Sequence, residues 1–365
     1  MRAERLLRLW VVLSLLLLTA PGIGPAPRAE ESPSAPGSPA APAAPGSPAA
    51  PSDAAAPAPA APALEELARA VVTLVTDAYP DSRTAGVLGT HREGNGIVID
   101  REGRILTVGY LLLDAQHVRV LRYDGREVPA TVLGYDVDSG LGLVQAQAPL
   151  GLEPLVLGDA SRLAVDDPVL LLNSGGLEAA RAATVVSRRT FAAYWEYMVE
   201  AAIFTAPPQR DYAGAALLDR DLRVVGVGSL LVQNAASEGL AMAGNLFVPI
   251  DRVKPVLRDL VEMGRPRAKA RPWLGVNVAE QFGRVIVTRI TPGGPARESG
   301  LQPGDIILDV DGHKVDGLEG FYRQLWGLGP AGIVVKLKLL QRNDVVRIAV
   351  TTRDRYSQYR VPQRP

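Results

Sequence analysis

Apolar residues are distributed along this chain in three regimes. Residues 9–20 (LWVVLSLLLLTA) form one short continuous apolar run. Residues 30–63 are almost entirely Ala, Pro, Ser and Gly, with nothing large to bury. From Leu64 onward the apolar positions come in short runs cut by turn residues. Residues 64–70 have the spacing of one or two helical turns, and the β-branched run 71–75 (VVTLV) predicts a strand. Further strands are predicted over 96–100, 104–108, 117–121, 127–135 and 141–146, with turns at Arg101-Glu102-Gly103 and Tyr123-Asp124-Gly125. A second set lies between 155 and 249 and includes 168–172, 183–187, 223–231 and 246–249. Many short strands with closely spaced turns predict an all-β barrel or sandwich. Residues 251–263 (DRVKPVLRDLVEM) predict a helix with Asp251 as N-cap, despite the internal Pro255. Toward the C-terminus, strands are expected at 285–287, 308–310, 333–340 and 345–350, with a helix over 317–327.

The first regime changes what the rest is expected to do. Arg2, Arg5 and Arg8 precede the apolar run, the arrangement of a secretory signal. Residues 1–29 therefore predict either a cleaved signal peptide or an N-terminal membrane anchor, and both export the remainder. Residues 30–63 repeat APGSPAAP at 35–42 and 44–51 and predict a solvated linker. At about 3.1 Å per residue for a proline-rich chain, its reach is on the order of 100 Å.

Charge and composition exclude several functions. Lys+Arg and Asp+Glu balance at 39 each, which leaves no basic excess for a nucleic acid. The chain has no cysteine, so thiol catalysis and Cys-type zinc sites are out. His91, His117 and His313 lack metal-ligand spacing, and no metal is expected. Residues 327–332 match G-x-G-x-x-G but precede a predicted strand, the wrong context for a pyrophosphate. No cofactor is expected.

The candidate chemistry lies in an ordered set of motifs. Residues 94–100 (GNGIVID), a turn, then 103–112 (GRILTVGYLL) are followed by 123–127 (YDGRE), 130–136 (ATVLGYD) and 139–144 (SGLGLV). Residues 209–227 (QRDYAGAALLDRDLRVVGV) give a small-residue turn, an apolar pair, a polar turn and a strand. Together they resemble the HtrA (DegP/DegS-like) branch of the trypsin-like serine proteases. The resemblance implies that the catalytic histidine, aspartate and serine positions are held by Tyr110, Gly140 and Ala213. It also places Asp211 where the family has a glycine beside the oxyanion hole. Such a site has no base to take a hydroxyl proton, no carboxylate to orient that base and no nucleophile. A tyrosine with a reference pKa of about 10 is a poor base at neutral pH, and a carboxylate near a developing oxyanion repels it. Asp138, His91, His117, Ser187 and Ser229 are the residues from which a relocated site would have to be built.

The C-terminal motifs are 271–276 (RPWLGV), 291–296 (TPGGPA) and 299–307 (SGLQPGDII). They resemble the PDZ domain that follows the protease in HtrA proteins. The resemblance implies that the backbone amides of Leu274, Gly275 and Val276 hold a peptide's C-terminal carboxylate. The peptide would then add as a strand beside residues 276–279. Trp273, Asn277 and Val278 flank that groove, with the Trp273 indole either over the last peptide side chain or packed under the loop. Phe321 and Leu325, four apart on the helix, line the side-chain pocket or belong to the core.

The expected fold class is mostly β: a trypsin-like double β-barrel over 64–265 followed by an α+β PDZ domain over 266–356, with a tail at 357–365. The expected function is that of a non-catalytic pseudoprotease. It would bind peptide or protein C-termini or unfolded segments in envelope protein quality control, in the periplasm or on the outer face of the cytoplasmic membrane. The competing readings are an active endopeptidase with a non-standard site, and a scaffold whose PDZ groove is closed. HtrA relatives assemble as trimers through aromatic residues near the start of the protease domain, for which Tyr79 is the one candidate.

Overall fold

A computed structural model of the protein describes residues 61–237 and 239–360. The expected leader at 1–29, most of the expected linker and the last five residues lie outside the described residues. Helix α1 (Ala61–Arg69) begins inside the stretch assigned to the linker, so the folded part starts slightly earlier than composition suggested.

Six strands form the first closed barrel: β1 (Val71–Ala78), β2 (His91–Val98), β3 (Arg104–Val108), β4 (Ala115–Leu121), β5 (Glu127–Asp136) and β6 (Leu141–Ala146). Their order is β1-β2-β3-β6-β5-β4, and short helix α2 (Ala85–Leu88) sits in the β1–β2 connection. Leu74, Ile97, Ile105, Leu106, Leu141 and Leu143 are fully buried in its interior. The second barrel contains β7 (Pro168–Leu172), β8 (Arg181–Ala193), β9 (Tyr197–Ala206), β10 (Ala216–Leu218), β11 (Val224–Val232) and β12 (Gly244–Pro249). It closes in the order β10-β11-β12-β9-β8-β7 around Phe204 and Phe247. A closed barrel leaves no unpaired edge, and that explains how short strands of this kind hold together.

The helix expected over 251–263 is shorter than predicted. Residues 250–256 form two 3-10 turns, and helix α3 runs only over Leu257–Met263. Pro255 has no backbone N–H to donate, and Asp251 pairs with Lys254 instead of capping. Gly264 closes α3 in the left-handed conformation.

The C-terminal unit starts with β13 (Pro272–Trp273), β14 (Val276–Gln281) and β15 (Arg284–Ile290), followed by the short helix α4 (Pro295–Glu298). Then come β16 (Ile306–Val310), β17 (His313–Lys314), helix α5 (Gly317–Gly327), β18 (Val334–Gln341), β19 (Asp344–Thr351) and β20 (Arg353–Asp354). Its sheet runs β14-β15-β16-β18-β19, which leaves β14 as an edge strand. Buried Leu274, Val276, Val278, Phe321, Tyr322 and Leu325 form its core, and Met198 from the second barrel belongs to the same cluster. The two units therefore share packed apolar side chains.

Candidate functional site

The three expected triad positions lie on neighbouring loops. Tyr110 sits in a 3-10 turn (Gly109–Leu111) directly after β3, and Gly140 directly precedes β6. Strands β3 and β6 pair, and the Gly109 amide donates to the Gly140 carbonyl at 2.7 Å, so these two positions are held together. Ala213 lies in the turn before β10. Its carbonyl accepts from both the backbone amide (2.7 Å) and the side-chain amide (2.9 Å) of Asn95 on β2. Asn95 Nδ2 also donates to the Asp211 carbonyl at 3.1 Å, and its Oδ1 accepts from the Ser174 amide at 2.8 Å. One asparagine thus joins the nucleophile turn to the first barrel. The Asp211 side chain is exposed.

Aromatic side chains fill this cleft. The Tyr110 hydroxyl donates to the Ser229 carbonyl on β11 at 3.1 Å, which spans the two barrels. Burial, followed by the neighbouring Tyr212, pushes the Tyr110 phenol above its ordinary pKa, so it stays protonated and cannot serve as a base at neutral pH. Gly140 has φ +74°, and a Cβ there would lie 2.6 Å from the Tyr197 hydroxyl. That hydroxyl donates to the Ser139 carbonyl at 2.7 Å. Tyr197 therefore occupies the space into which an aspartate at 140 would project. What remains is a cavity of about 80 Å³ lined by Tyr110, Gly140, Trp195, Tyr197, Ser229 and Arg355, among others.

The other candidate groups do not converge on it. Ser187 is buried on β8, and its Oγ accepts from Arg189 at 2.8 Å. Ser229 is buried on β11. His91 pairs with Asp77 at 2.9 Å at an exposed position, and His117 stands opposite Asp77 on β4. Asp138 forms an ion pair with Arg271 at 3.1 Å, and burial pushes its carboxyl up to about 6. Among the described residues no group of three or more His, Asp or Glu side chains is placed to hold a metal ion.

The loop at the PDZ entry gathers three backbone amides on one point. Gly275 has φ +81°, and a Cβ there would press on the Trp273 ring at 3.2 Å, so glycine suits both the backbone and the packing. Trp273 is 6% exposed, and its ring lies against Gly275. The amides of Leu274, Gly275 and Val276 all donate to a carboxylate, at 2.9, 2.7 and 2.9 Å. That carboxylate is the side chain of Glu196, at the tip of the β8–β9 hairpin. The Val278 amide donates to the Tyr194 carbonyl at 2.8 Å, while Asn277 faces β15 and accepts from Thr288. Phe321 and Leu325 are fully buried core residues.

Known families match the same regions. The trypsin-like peptidase domain matches residues 94–227, and the PDZ domain matches residues 272–352. A probable periplasmic serine endoprotease DegP-like from Hahella chejuensis is 28% identical over 281 residues, 73% of this chain and 58% of that protein. Serine protease PepD of Mycobacterium tuberculosis is 29% identical over 297 residues, 74% of this chain and 62% of that protein. The solved HtrA-type protease AlgW with a decapeptide shares the fold at TM-score 0.50 and 20% identity, covering 82% of this chain and 98% of its own. The chain thus carries a trypsin-like peptidase domain followed by a PDZ domain and is similar to HtrA-type proteases. It spans about three-fifths of the length of these two sequence relatives.

Several residues of this chain were not visible as site residues in its sequence. Glu196, Tyr194, Tyr197 and Tyr322 are among them. The Tyr322 hydroxyl donates to the Ala193 carbonyl at 2.6 Å and accepts from the Glu196 amide at 3.0 Å. The available signal was a charged residue among aromatics, Tyr194-Trp195-Glu196-Tyr197, in a stretch with no assigned element. The segment after β20 was also missed. Arg355 donates to the Glu196 carbonyl at 2.7 Å, and Tyr356 stacks on Tyr135 at 5.7 Å between centroids. The Arg360 amide donates to Asp114 at 2.8 Å, and its guanidinium lies 4.2 Å over the Tyr79 ring. Residues 357–360, expected as a tail, are thus fastened to the first barrel.

Proposed function

We propose that this HtrA-like protein works without hydrolysis, as an exported factor that binds peptides or protein C-termini in the cell envelope. One observation carries the reading: the Tyr197 hydroxyl stands where the side chain of a catalytic aspartate at 140 would be. Tyr110 cannot act as base, Ala213 offers no nucleophile, and the buried Ser187 hydroxyl is taken by Arg189. The PDZ loop, by contrast, still presents three convergent amides to a carboxylate, the chemistry by which a free C-terminus is captured. The periplasmic naming of the DegP-like relatives and the basic-then-apolar start of the chain support export.

The test is hydrolysis itself. The full chain should neither cleave unfolded casein nor react with a serine-directed phosphonylating probe. Turnover that disappears on Ser187→Ala or Ser229→Ala would establish a relocated nucleophile and return the protein to the endopeptidases. Fractionation should place the folded domains outside the cytoplasmic membrane, where added protease reaches them in spheroplasts.

A further inference from the structure

The PDZ groove of this chain is already filled by the chain itself. Strand β14 is an edge strand, so its outward amides are free to pair with an added segment. The amides of Val276 and Val278, two residues apart, point to the same side of it. The first is bonded to the Glu196 carboxylate and the second to the Tyr194 carbonyl. Tyr322 on α5 closes the opposite wall, donating to Ala193 and accepting from Glu196. The segment 193–196 therefore lies between β14 and α5 as a bound peptide would, with a side-chain carboxylate in place of a terminal one.

Glu196 has φ +52°, the left-handed conformation that the last residue of a three-residue hairpin loop takes, and a further feature shows that the tip is held in the groove. Its carboxylate is fully enclosed, with charge-assisted hydrogen bonds from three amides on one end of the residue and Arg355 on its carbonyl at the other. Undocking would exchange these three hydrogen bonds for bonds to water, and a carboxylate from another chain can take the same three amides.

We infer that Glu196 is an internal ligand of the PDZ domain and that the groove opens to an external peptide only when a free C-terminal carboxylate displaces it. This rests on the binding role proposed above and supplies its regulation. A tethered ligand competes at an effective concentration on the order of millimolar or more. The apparent affinity for an outside peptide falls by the fraction of molecules whose groove is open. The ligand class that fits is a peptide with a free carboxylate and an extended last segment, since the internal occupant satisfies one loop and one edge amide in the same way.

The experiment is a titration of the full chain with a fluorescein-labelled decapeptide pool whose last four positions are randomised and whose carboxylate is free. Glu196→Ala should bind the pool at least tenfold more tightly than wild type, and amidating the peptides should abolish the gain. Glu196→Gln keeps the side-chain volume and should give a smaller gain of about threefold, so the test survives poor folding of the alanine variant. Amide exchange at Leu274, Gly275 and Val276 should quicken in both variants. Equal affinity of wild type and variants, no binding by either variant, or a gain that persists with amidated peptides would each overturn the inference. Casein turnover measured on the same samples separates the two claims. Turnover would remove the non-hydrolytic role and leave the affinity result standing. Absent turnover with unchanged affinity would remove only the internal ligand.

Discussion

The peptidase cleft and the PDZ groove are both occupied by the same β8–β9 hairpin, yet in opposite ways. At the cleft, Tyr197 fills the volume next to Gly140 with a ring and a hydroxyl bonded to Ser139. At the groove, the preceding residue, Glu196, is held by the amides of Leu274, Gly275 and Val276. The first occupant is an apolar body packed into a core, where displacement leaves a void. The second is a carboxylate on backbone donors, which the carboxylate of an extended peptide could replace. On the proposed reading, the site without reacting groups is filled by packing, whereas the site with its recognising amides is covered by an exchangeable group.

The largest effect that would break this comparison is at Gly140. Gly140→Asp places a Cβ 2.6 Å from the Tyr197 hydroxyl on a backbone with φ +74°, and we expect a loss of about 3 kcal/mol in urea unfolding. Adding Tyr197→Phe should recover part of that loss by removing the hydroxyl. A Gly140→Asp protein as stable as wild type would mean that the cleft has room for an aspartate after all. Next comes Tyr322→Phe, which leaves the Ala193 carbonyl and the Glu196 amide without their partner. A cost of about 2 kcal/mol is expected, with tighter peptide binding as the docked tip loosens. A stability loss with unchanged peptide affinity would place Tyr322 in the core only.

The smallest effect concerns Asp138, which pairs with Arg271 where the first barrel meets the PDZ entry. Its folded pKa of about 6 lies above the ordinary value of 3.8, because burial outweighs the attraction of Arg271. Between pH 6 and pH 4 the folded state binds more protons than the unfolded one, so this group's contribution to stability falls as pH rises through that window. The side chain is 41% exposed, and the change should stay below about 1 kcal/mol. Asp138→Asn should flatten the wild-type decline, as read from urea midpoints at pH 4, 5, 6 and 7.

Most of the fold was legible because its strands carry strong local signals. The runs at 104–108, 141–146 and 168–172 coincide with β3, β6 and β7, bounded by the turns that the sequence marks. The β8–β9 pair was the main omission: only 183–187 was recognised from the 13 residues of β8, and β9 was missed. Register shifts between Val185 and Ser187 and between Arg189 and Phe191 break the two-residue alternation, and Arg188 and Arg189 interrupt the apolar run. The candidate site was legible in part for a related reason. Tyr110, Gly140 and Ala213 could be placed because each lies beside a local motif. Glu196 bonds to residues 78 to 80 positions further along the chain, and nothing within the hairpin announces that partner. Tyr197 was hidden in the same way, since its contact with Gly140 exists only after both barrels have closed.

The claim that the cleft is inert while the groove is merely covered meets its most direct test when the groove is open. Unfolded casein is incubated with the full chain, as wild type and as Glu196→Ala, with and without the free-carboxylate peptide pool, and fragments are quantified. The account predicts no cleavage above background in all four conditions, with peptide bound to the Glu196→Ala protein. Cleavage in any of them, lost on Ser187→Ala or Ser229→Ala, would contradict it.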